Sequence, residues 1–291
     1  MSPTQRVTHS KTRRSPPRRH KKVTQAGSHR KPRPPVKKAM VRNNMNMNIF
    51  ITTQMRTGST WLCDLVAEMF SKRWQFWARG RDISADRFKK HIDKPGGNHI
   101  FKMHYTPPER ICRNIKEGDK QNFVISITRD VKDVSISKIL YMRYDSGVRN
   151  LARMNEINKA RLNFDSHGLK DMEYVNEFIK TPMYKHIVKN WKMYNDGYKH
   201  PNYLLVTYEE LTARPAFVMR RIYEFLGVTL PQSQILRQLV VKHNFKQKTG
   251  RKKGNEKNSA FRRKGIVGDG MNYLTEESLQ KIAEIVDHYE Y

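Results

Sequence analysis

Apolar and polar residues alternate in a regular way along the chain from about residue 45. Short apolar runs rich in β-branched residues are typical of buried strands and lie at residues 49–51, 100–101, 121–128 and 203–207. Apolar residues at helical spacing predict helices near residues 61–69, 134–140, 184–198, 217–226, 235–241 and 276–289. Strands that alternate with helices indicate an α/β fold, in which helices flank a mostly parallel central sheet.

Two segments inside this pattern have no clear period. Residues 71–98 are predicted to be irregular, and their aromatic residues Trp74, Phe76 and Trp77 either pack in the core or line an apolar pocket. Core packing is the favoured alternative. Residues 143–180 are polar and are predicted to form short helices and a mobile loop, a usual place for a substrate lid.

The first 44 residues differ from the rest in composition. They hold 14 of the 57 Lys and Arg residues and no Asp or Glu. Such a segment buries too little apolar surface to offset the entropy of ordering it, so we expect a disordered basic tail at 1–44 and a single domain at 45–291. That domain keeps 43 basic and 27 acidic residues, a net charge of +16, which favours an anionic ligand or partner.

Cysteine content and hydropathy suggest in which cellular compartment the protein is located. Cys63 and Cys112 are too few for a disulfide framework and lack metal-ligand spacing. No run approaches the ~20 apolar residues that span a bilayer, and the N-terminus lacks the apolar core of a signal peptide. We therefore expect a cytoplasmic protein without a transmembrane segment.

The first candidate site follows the strand at 49–51. A small-residue turn around Gly58 leads into the helix that opens at Trp61, and Arg56 lies at its mouth. Strand, turn and helix together aim backbone N–H groups and a positive helix end at one anion, and Arg56 adds a fixed charge. The alternative is an ordinary strand–helix connection with hydroxyl caps.

Two further sites lie at the ends of other predicted strands, where ligands gather in parallel sheets. Lys102 and His104 are two apart on an extended segment and so point the same way. Arg129 follows the strand at 121–128 and binds either an anion or a neighbouring carboxylate, while Asp130 or Asp133 would cap the next helix.

Taken in order, these motifs resemble the sulfotransferases that use 3′-phosphoadenosine-5′-phosphosulfate (PAPS), and most closely the cytosolic branch, over residues 48–275. The resemblance implies a P-loop-like domain whose first turn, Arg56 with the backbone of Thr57, Gly58, Ser59 and Thr60, holds the 5′-phosphosulfate. It further implies that Trp61 packs beside the adenine.

The same resemblance also implies which residues bind the 3′-phosphate end of the donor. Arg129 and Ser137, eight residues apart, would hold the 3′-phosphate. The remaining donor residues would contact the adenine or close over the 3′-phosphate; they are Tyr208, Phe245, Arg263, Lys264 and Gly265.

The implied activity is sulfuryl transfer to an acceptor hydroxyl, with adenosine 3′,5′-bisphosphate (PAP) released and no metal required. His104 would be the general base, since an imidazole accepts a proton near neutral pH. Lys102 and Arg56 would stabilise negative charge on the transferring and leaving groups, as in phosphoryl transfer. The acceptor is expected to be a small alcohol or phenol, with a carbohydrate as the alternative.

The chain departs from the family pattern at several positions. Arg56 replaces the usual Lys, and the usual Gly-Asp-Trp-Lys-Asn becomes Gly-Asp-Gly-Met-Asn, with Gly270 and Met271 in place of Trp and Lys. The Lys…Thr-Val…Glu pattern of one known dimer is absent, which leaves the oligomeric state open.

Two rival functions remain at this stage. A P-loop kinase would also hold phosphates on a strand–turn–helix unit, but the chain has no G-x-x-x-x-G-K-[ST] motif. The basic tail suggests a nucleic-acid-binding protein, yet it has no interleaved aromatic residues. We expect contact between the tail and a polyanion as an accessory property only.

Overall fold

A computed structural model of the chain describes residues 47–79, 99–104, 106–116, 119–144, 168–257 and 263–289. The predicted basic tail at 1–44 lies outside the described residues. So do the greater part of the predicted irregular segment at 71–98 and more than half of the predicted segment of short helices and a loop at 143–180, which ends in a described helix at Asp171–Lys180.

Parallel strands form one central sheet. The strands are β1 (Asn48–Thr53), β2 (Gln75–Arg79), β3 (Ile100–His104), β4 (Asn122–Thr128) and β5 (Tyr203–Thr207). Their order is β2-β3-β1-β4-β5, and every neighbouring pair is parallel. The predicted α/β fold with a parallel sheet is confirmed.

Helices follow the strands and cover the sheet. They are α1 (Ser59–Met69), α2 (Pro108–Cys112), α3 (Val131–Tyr144), α4 (Asp171–Lys180), α5 (Pro182–Asn195), α6 (Tyr208–Ala213), α7 (Pro215–Phe225), α8 (Ser233–Lys242), α9 (Phe245–Thr249) and α10 (Glu276–His288), with a 3-10 helix at Asp269–Asn272. Among the described residues, none of these helices is long and apolar enough to cross a membrane.

Alternate residues of the strands supply two core layers. Ile49 and Ile51 of β1 pack with residues of α1, α7 and α8, whereas Phe50 packs with Phe101 and Val124 in a separate cluster. A third cluster joins α3, α4, α5 and α10. Because side chains of a strand point alternately to opposite faces, the apolar runs of the sequence bury both faces of the sheet.

Strand β2 corrects the prediction of an irregular segment at 71–98. It is an edge strand of five residues that pairs with β3 and has a register shift between Phe76 and Ala78, so its alternation is too short and broken to read. Trp74, just before it, packs partly buried against the core and donates its Nε1–H to Asp64 at 2.9 Å. The core interpretation of Trp74 therefore agrees with its contacts.

Candidate active site

A cavity opens at the carboxyl ends of β1, β4 and β5, next to the point where the strand order reverses, which is the usual ligand site of an open α/β sheet. The space it encloses, counted with the open mouth, is about 1060 Å³. Predicted donor-binding residues from all the motifs line it: Arg56, Gly58, Ser59, Thr60, Trp61, Arg129, Ser137, Tyr208, Phe245, Arg263, Lys264 and Gly265.

The turn after β1 has an unusual backbone. Arg56 and Gly58 both have positive φ, at 78° and 88°. A Cβ atom at Gly58 would lie 2.5 Å from the Tyr208 ring, so both the space and the backbone require glycine there. The Thr57 hydroxyl instead faces the interior, 2.5 Å from the Thr53 hydroxyl, and Thr57 does not line the cavity. Positive φ at an arginine costs ~1 kcal/mol or more, and such strain concentrates at functional sites.

Arg56 connects the turn to α3. Its Nε–H donates to the Ser137 hydroxyl at 3.2 Å, and its guanidinium lies 4.6 Å from the ring centre of Tyr141. Arg56 and Ser137 come from motifs 81 residues apart in sequence. The fold therefore brings two predicted anion-binding residues into direct contact.

The sequence left open whether Arg129, at the end of β4, pairs with a neighbouring carboxylate or faces an anion site. In the structure it does both. Its Nη2 donates to Asp133 at 3.0 Å and to the Ile266 carbonyl at 2.9 Å, so it pairs with a carboxylate. Its guanidinium also lies 4.3 Å from the ring centre of Tyr208 and lines the cavity. Within the described part of the chain, its buried Nε has no hydrogen-bond partner. Asp133 and the Ile266 carbonyl therefore hold the Arg129 guanidinium in one orientation at the cavity before any anion binds.

Asp133 joins Arg129 to the loop before the 3-10 helix. Besides Arg129, its buried carboxylate accepts the backbone N–H groups of Gly268 and Gly270 at 2.9 and 2.7 Å. A Cβ at Gly270 would lie 2.8 Å from the Cβ of Lys132, so the close approach of α3 leaves no room for a side chain. This packing accounts for glycine at the position where the family pattern has tryptophan.

Arg263 and Lys264 lie at the cavity wall inside an ion-pair cluster. Arg263 donates to Glu256 and Asp269, and Lys264 Nζ is 2.7 Å from Asp269. Burial opposes the ionisation of Asp269, but hydrogen bonds from Lys264, Asn272 and Arg263 outweigh it and lower the pKa of that carboxyl. The two cations are thus held in place by carboxylates, which also offset part of their charge.

Aromatic side chains form the apolar part of the cavity. Trp61 and Tyr208 make an edge contact with ring centres 6.5 Å apart, and Phe245 packs against Gly265. His243 is buried beside them, and burial together with the charge of Lys248 lowers its pKa. This shift favours the neutral form of His243 at pH 7.

Lys102 and His104 lie on β3 and do not line the cavity. Both contact residues at the two ends of the turn after β1. Lys102 Nζ donates to the Thr60 hydroxyl at 2.6 Å and lies 5.1 Å from the Trp74 ring. His104 Nδ1 is 3.2 Å from the Thr53 carbonyl oxygen. Since that oxygen only accepts hydrogen bonds, Nδ1 carries the proton and Nε2 is the basic nitrogen of the neutral ring.

Sequence reasoning missed several residues of this site. Thr212, Val240, Lys248 and Lys253 line the cavity without belonging to a local motif. The last two lie in the basic, glycine-containing segment before Arg263, whose charge was the only signal in the sequence.

Comparison with known proteins adds to this geometry. The family described as "Sulfotransferase domain" matches residues 46–289. The chain is 27% identical to cytosolic sulfotransferase 9 of Arabidopsis thaliana over 177 residues, which cover 56% of this chain and only about half (49%) of that protein. It is 27% identical to sulfotransferase 1B1 of Mus musculus over 258 residues, 78% of this chain and 77% of that protein.

Among solved structures, mouse sulfotransferase SULT7A1 complexed with PAP superimposes with a TM-score of 0.51 at 17% identity, over 85% of this chain and 88% of that chain. That similarity shows a shared fold.

Proposed function

Because the chain belongs to the sulfotransferase family, we propose that it transfers a sulfuryl group from PAPS to the hydroxyl of a small alcohol or phenol, with His104 as the general base. The observation that carries this proposal is the convergence of all three donor motifs on one cavity. Residues from the turn after β1, from β4 and α3, and from the segment at 263–265 meet there. A carbohydrate acceptor is the alternative.

The 5′-phosphosulfate would lie at the turn after β1. Backbone N–H groups at the start of α1 and the positive end of that helix favour an anion, and Arg56 adds a fixed charge beside it. The Thr57 side chain is turned away, so any contribution of Thr57 would come from its backbone N–H.

The 3′-phosphate would lie between Arg129, Ser137 and the pair Arg263 and Lys264, all of which line the cavity. Trp61, Tyr208 and Phe245 would hold the adenine by stacking and edge contacts, which suit a flat uncharged ring.

The transfer step breaks the bond between sulfur and the bridging oxygen of the 5′-phosphate and forms a bond between sulfur and the acceptor oxygen. The acceptor proton passes to Nε2 of His104, the basic nitrogen of the ring. Negative charge develops on the leaving phosphate, where Lys102 and Arg56 stabilise it. Lys102 reaches the donor turn through Thr60, whose hydroxyl accepts its hydrogen bond.

Purified protein incubated with radiolabelled PAPS and a panel of phenols, alcohols and oligosaccharides tests the proposal. We expect transfer to a hydroxyl, with kcat lowered ~10²–10⁴-fold in His104→Ala because a positioned base contributes that much. PAP affinity stays the same in this variant. His288→Ala, which removes an exposed histidine of α10, is the matched control. Unchanged turnover in His104→Ala would exclude His104 as the base.

Two accessory properties belong to the same proposal. The description of its relatives as cytosolic supports a cytoplasmic location, which a fluorescent fusion checks. The basic residues at 1–44 support contact with a polyanion. Retention on heparin should then fall steeply with salt, and deletion of 1–44 should weaken it.

A further inference from the structure

Tyr141 of α3 contacts the arginine that the proposed function places beside the transferring sulfuryl group. The centre of its ring lies 4.6 Å from the Arg56 guanidinium carbon, within the range of a cation–π interaction. One helical turn earlier on α3, the Ser137 hydroxyl accepts the Arg56 Nε–H at 3.2 Å. Two side chains of α3 therefore hold the same guanidinium, one through a hydrogen bond and one through an aromatic face.

These contacts belong to a ridge that runs along α3. Asp133, Ser137 and Tyr141 are spaced four residues apart, so their side chains follow one another on the helix surface. Asp133 accepts a hydrogen bond of 3.0 Å from Arg129, and the next two residues of the ridge contact Arg56. One helix thus orients both arginines that the proposed function assigns to the donor.

Arg56 combines a strained backbone with a long, flexible side chain. Its φ of 78° lies in the left-handed region, which an arginine keeps only where neighbouring groups hold it. Several rotatable bonds separate this backbone from the guanidinium, and a freely rotating arginine would lose that freedom on meeting the donor. The contacts with Ser137 and Tyr141 reduce this loss, because they place the guanidinium at the cavity before the donor binds.

We propose that Tyr141 is a positioning residue for sulfuryl transfer, whose ring holds the Arg56 guanidinium where negative charge develops on the leaving phosphate. This inference rests on the proposed sulfotransferase function and adds a residue that acts through Arg56. Tyr141 itself exchanges no proton and no sulfuryl group. A preoriented cation stabilises the transition state more than the ground state, because charge on the bridging oxygen grows as its bond to sulfur breaks. Loss of the ring therefore lowers kcat rather than raising the KM for PAPS.

Substitutions of Tyr141 in the full chain test the role of its aromatic face. With labelled PAPS and an acceptor that the wild-type protein sulfates, Tyr141→Leu should lower kcat about 5- to 30-fold, as for the loss of one cation–π contact, and change the KM for PAPS by less than about 3-fold. Tyr141→Phe keeps the face and should retain about half of the wild-type kcat or more. A kcat in Tyr141→Phe as low as in Tyr141→Leu would overturn the inference, since the hydroxyl would then carry the effect.

A folding defect is separated from lost positioning by a further variant. Tyr141→Met also lacks the ring and should reproduce the kcat of Tyr141→Leu, while the melting temperature of each variant shows whether it is folded. If neither variant folds, Tyr141 is a structural residue and the inference falls.

A double-mutant cycle with Arg56→Met tests whether Tyr141 acts through Arg56. No guanidinium remains to be positioned in that background, so Tyr141→Leu should lower kcat by less than about 2-fold further. Equal fold losses with and without Arg56 would overturn the inference. Tyr144→Leu is the matched control on the same helix, because Tyr144 contacts Arg143 and Asp171 instead, and it should leave kcat unchanged.

Failure of this inference and failure of the proposed function are distinguishable. If the wild-type protein sulfates an acceptor and Tyr141→Leu keeps the wild-type kcat, the sulfotransferase proposal stands and the role of Tyr141 falls. If the wild-type protein transfers no labelled sulfuryl group to any hydroxyl in the panel, both fall.

Discussion

Replacing Asp133 by Asn removes one negative charge from the residue that holds the donor site together. The carboxylate is only 2% exposed. It accepts the Gly268 N–H and an N–H of Arg129 on Oδ2, and the Gly270 N–H on Oδ1. An Asn side chain has one acceptor oxygen and one NH2 group, so in either orientation its NH2 faces an N–H donor.

The expected cost follows from these contacts. Breaking a buried ion pair by changing one partner costs ~3–5 kcal/mol, and an unsatisfied buried N–H costs ~1–3 kcal/mol. The two penalties overlap because both arise at the same carboxylate. We therefore expect Asp133→Asn to lower the free energy of unfolding by ~3–5 kcal/mol, against a typical total of ~5–15 kcal/mol. PAP affinity should also fall, since Arg129 and the loop at Gly268 and Gly270 lose their common anchor.

Denaturant unfolding and calorimetric titration with PAP measure the two effects. Asp130→Asn, just before the same helix, is the matched control. The Asp130 side chain is 40% exposed and accepts the Lys132 N–H at 2.9 Å, and Asn caps helices about as well as Asp. This control should change stability by less than ~1 kcal/mol. Equal losses of stability in the two variants would refute the anchoring role of Asp133.

The remaining predictions concern Gly58 in the turn after β1 and Lys138 of α3, whose Nζ is 3.5 Å from the sulfur of Met55 in that turn. Gly58→Ala should abolish PAP binding through its clash with Tyr208, whereas Gly254→Ala, with φ of 90° and nothing within 4 Å, should cost only ~1 kcal/mol of stability and keep PAP affinity. Equal losses of PAP affinity in Gly58→Ala and Gly254→Ala would contradict an effect caused by the clash with Tyr208. Burial and the neighbouring charge of Arg56 lower the pKa of Lys138 from 10.5 to about 8. Lys138→Met should therefore raise the free energy of unfolding by about 3 kcal/mol below pH 8, since one pKa unit corresponds to ~1.4 kcal/mol. The folded pKa is lowered, so wild-type stability recovers relative to the variant as pH rises from about 8 to 10.5, and a difference independent of pH would refute the burial of that charge.

Most of the fold was predictable because its strands are central and apolar. β1, β3, β4 and β5 carry continuous or alternating apolar residues that pack on both faces of the sheet. β2 was not predictable, because an edge strand with a register shift needs only one partner and shows little alternation. α6 was missed although a signal existed. Thr207 accepts the Glu210 N–H, and a threonine followed three residues later by a glutamate is typical of a helix start.

The candidate site was predictable as far as its residues lie in local motifs. Arg56 and Arg129 each follow a strand, Ser137 lies on the helix after Arg129, and the fold brings all three to one cavity. The role of Asp133 and the surroundings of Lys138 depend on contacts across the fold. Asp133 receives the Gly268 N–H from 135 residues away, so the sequence showed it only as a helix cap. Nothing local distinguishes a lysine that packs against a distant turn from one on a solvated helix face.

Titration of the protein with PAP, adenosine 5′-monophosphate and adenosine 3′-monophosphate tests the central claim most directly, because the claim is that one cavity holds both phosphate ends of the donor. Arg56 with the start of α1 should contribute to one end, and Arg129 with Ser137 to the other. Two or more charge-assisted hydrogen bonds to each phosphate predict that PAP binds ~100-fold or more tightly than either monophosphate. A dissociation constant that is unchanged when the 3′-phosphate is removed would contradict the account.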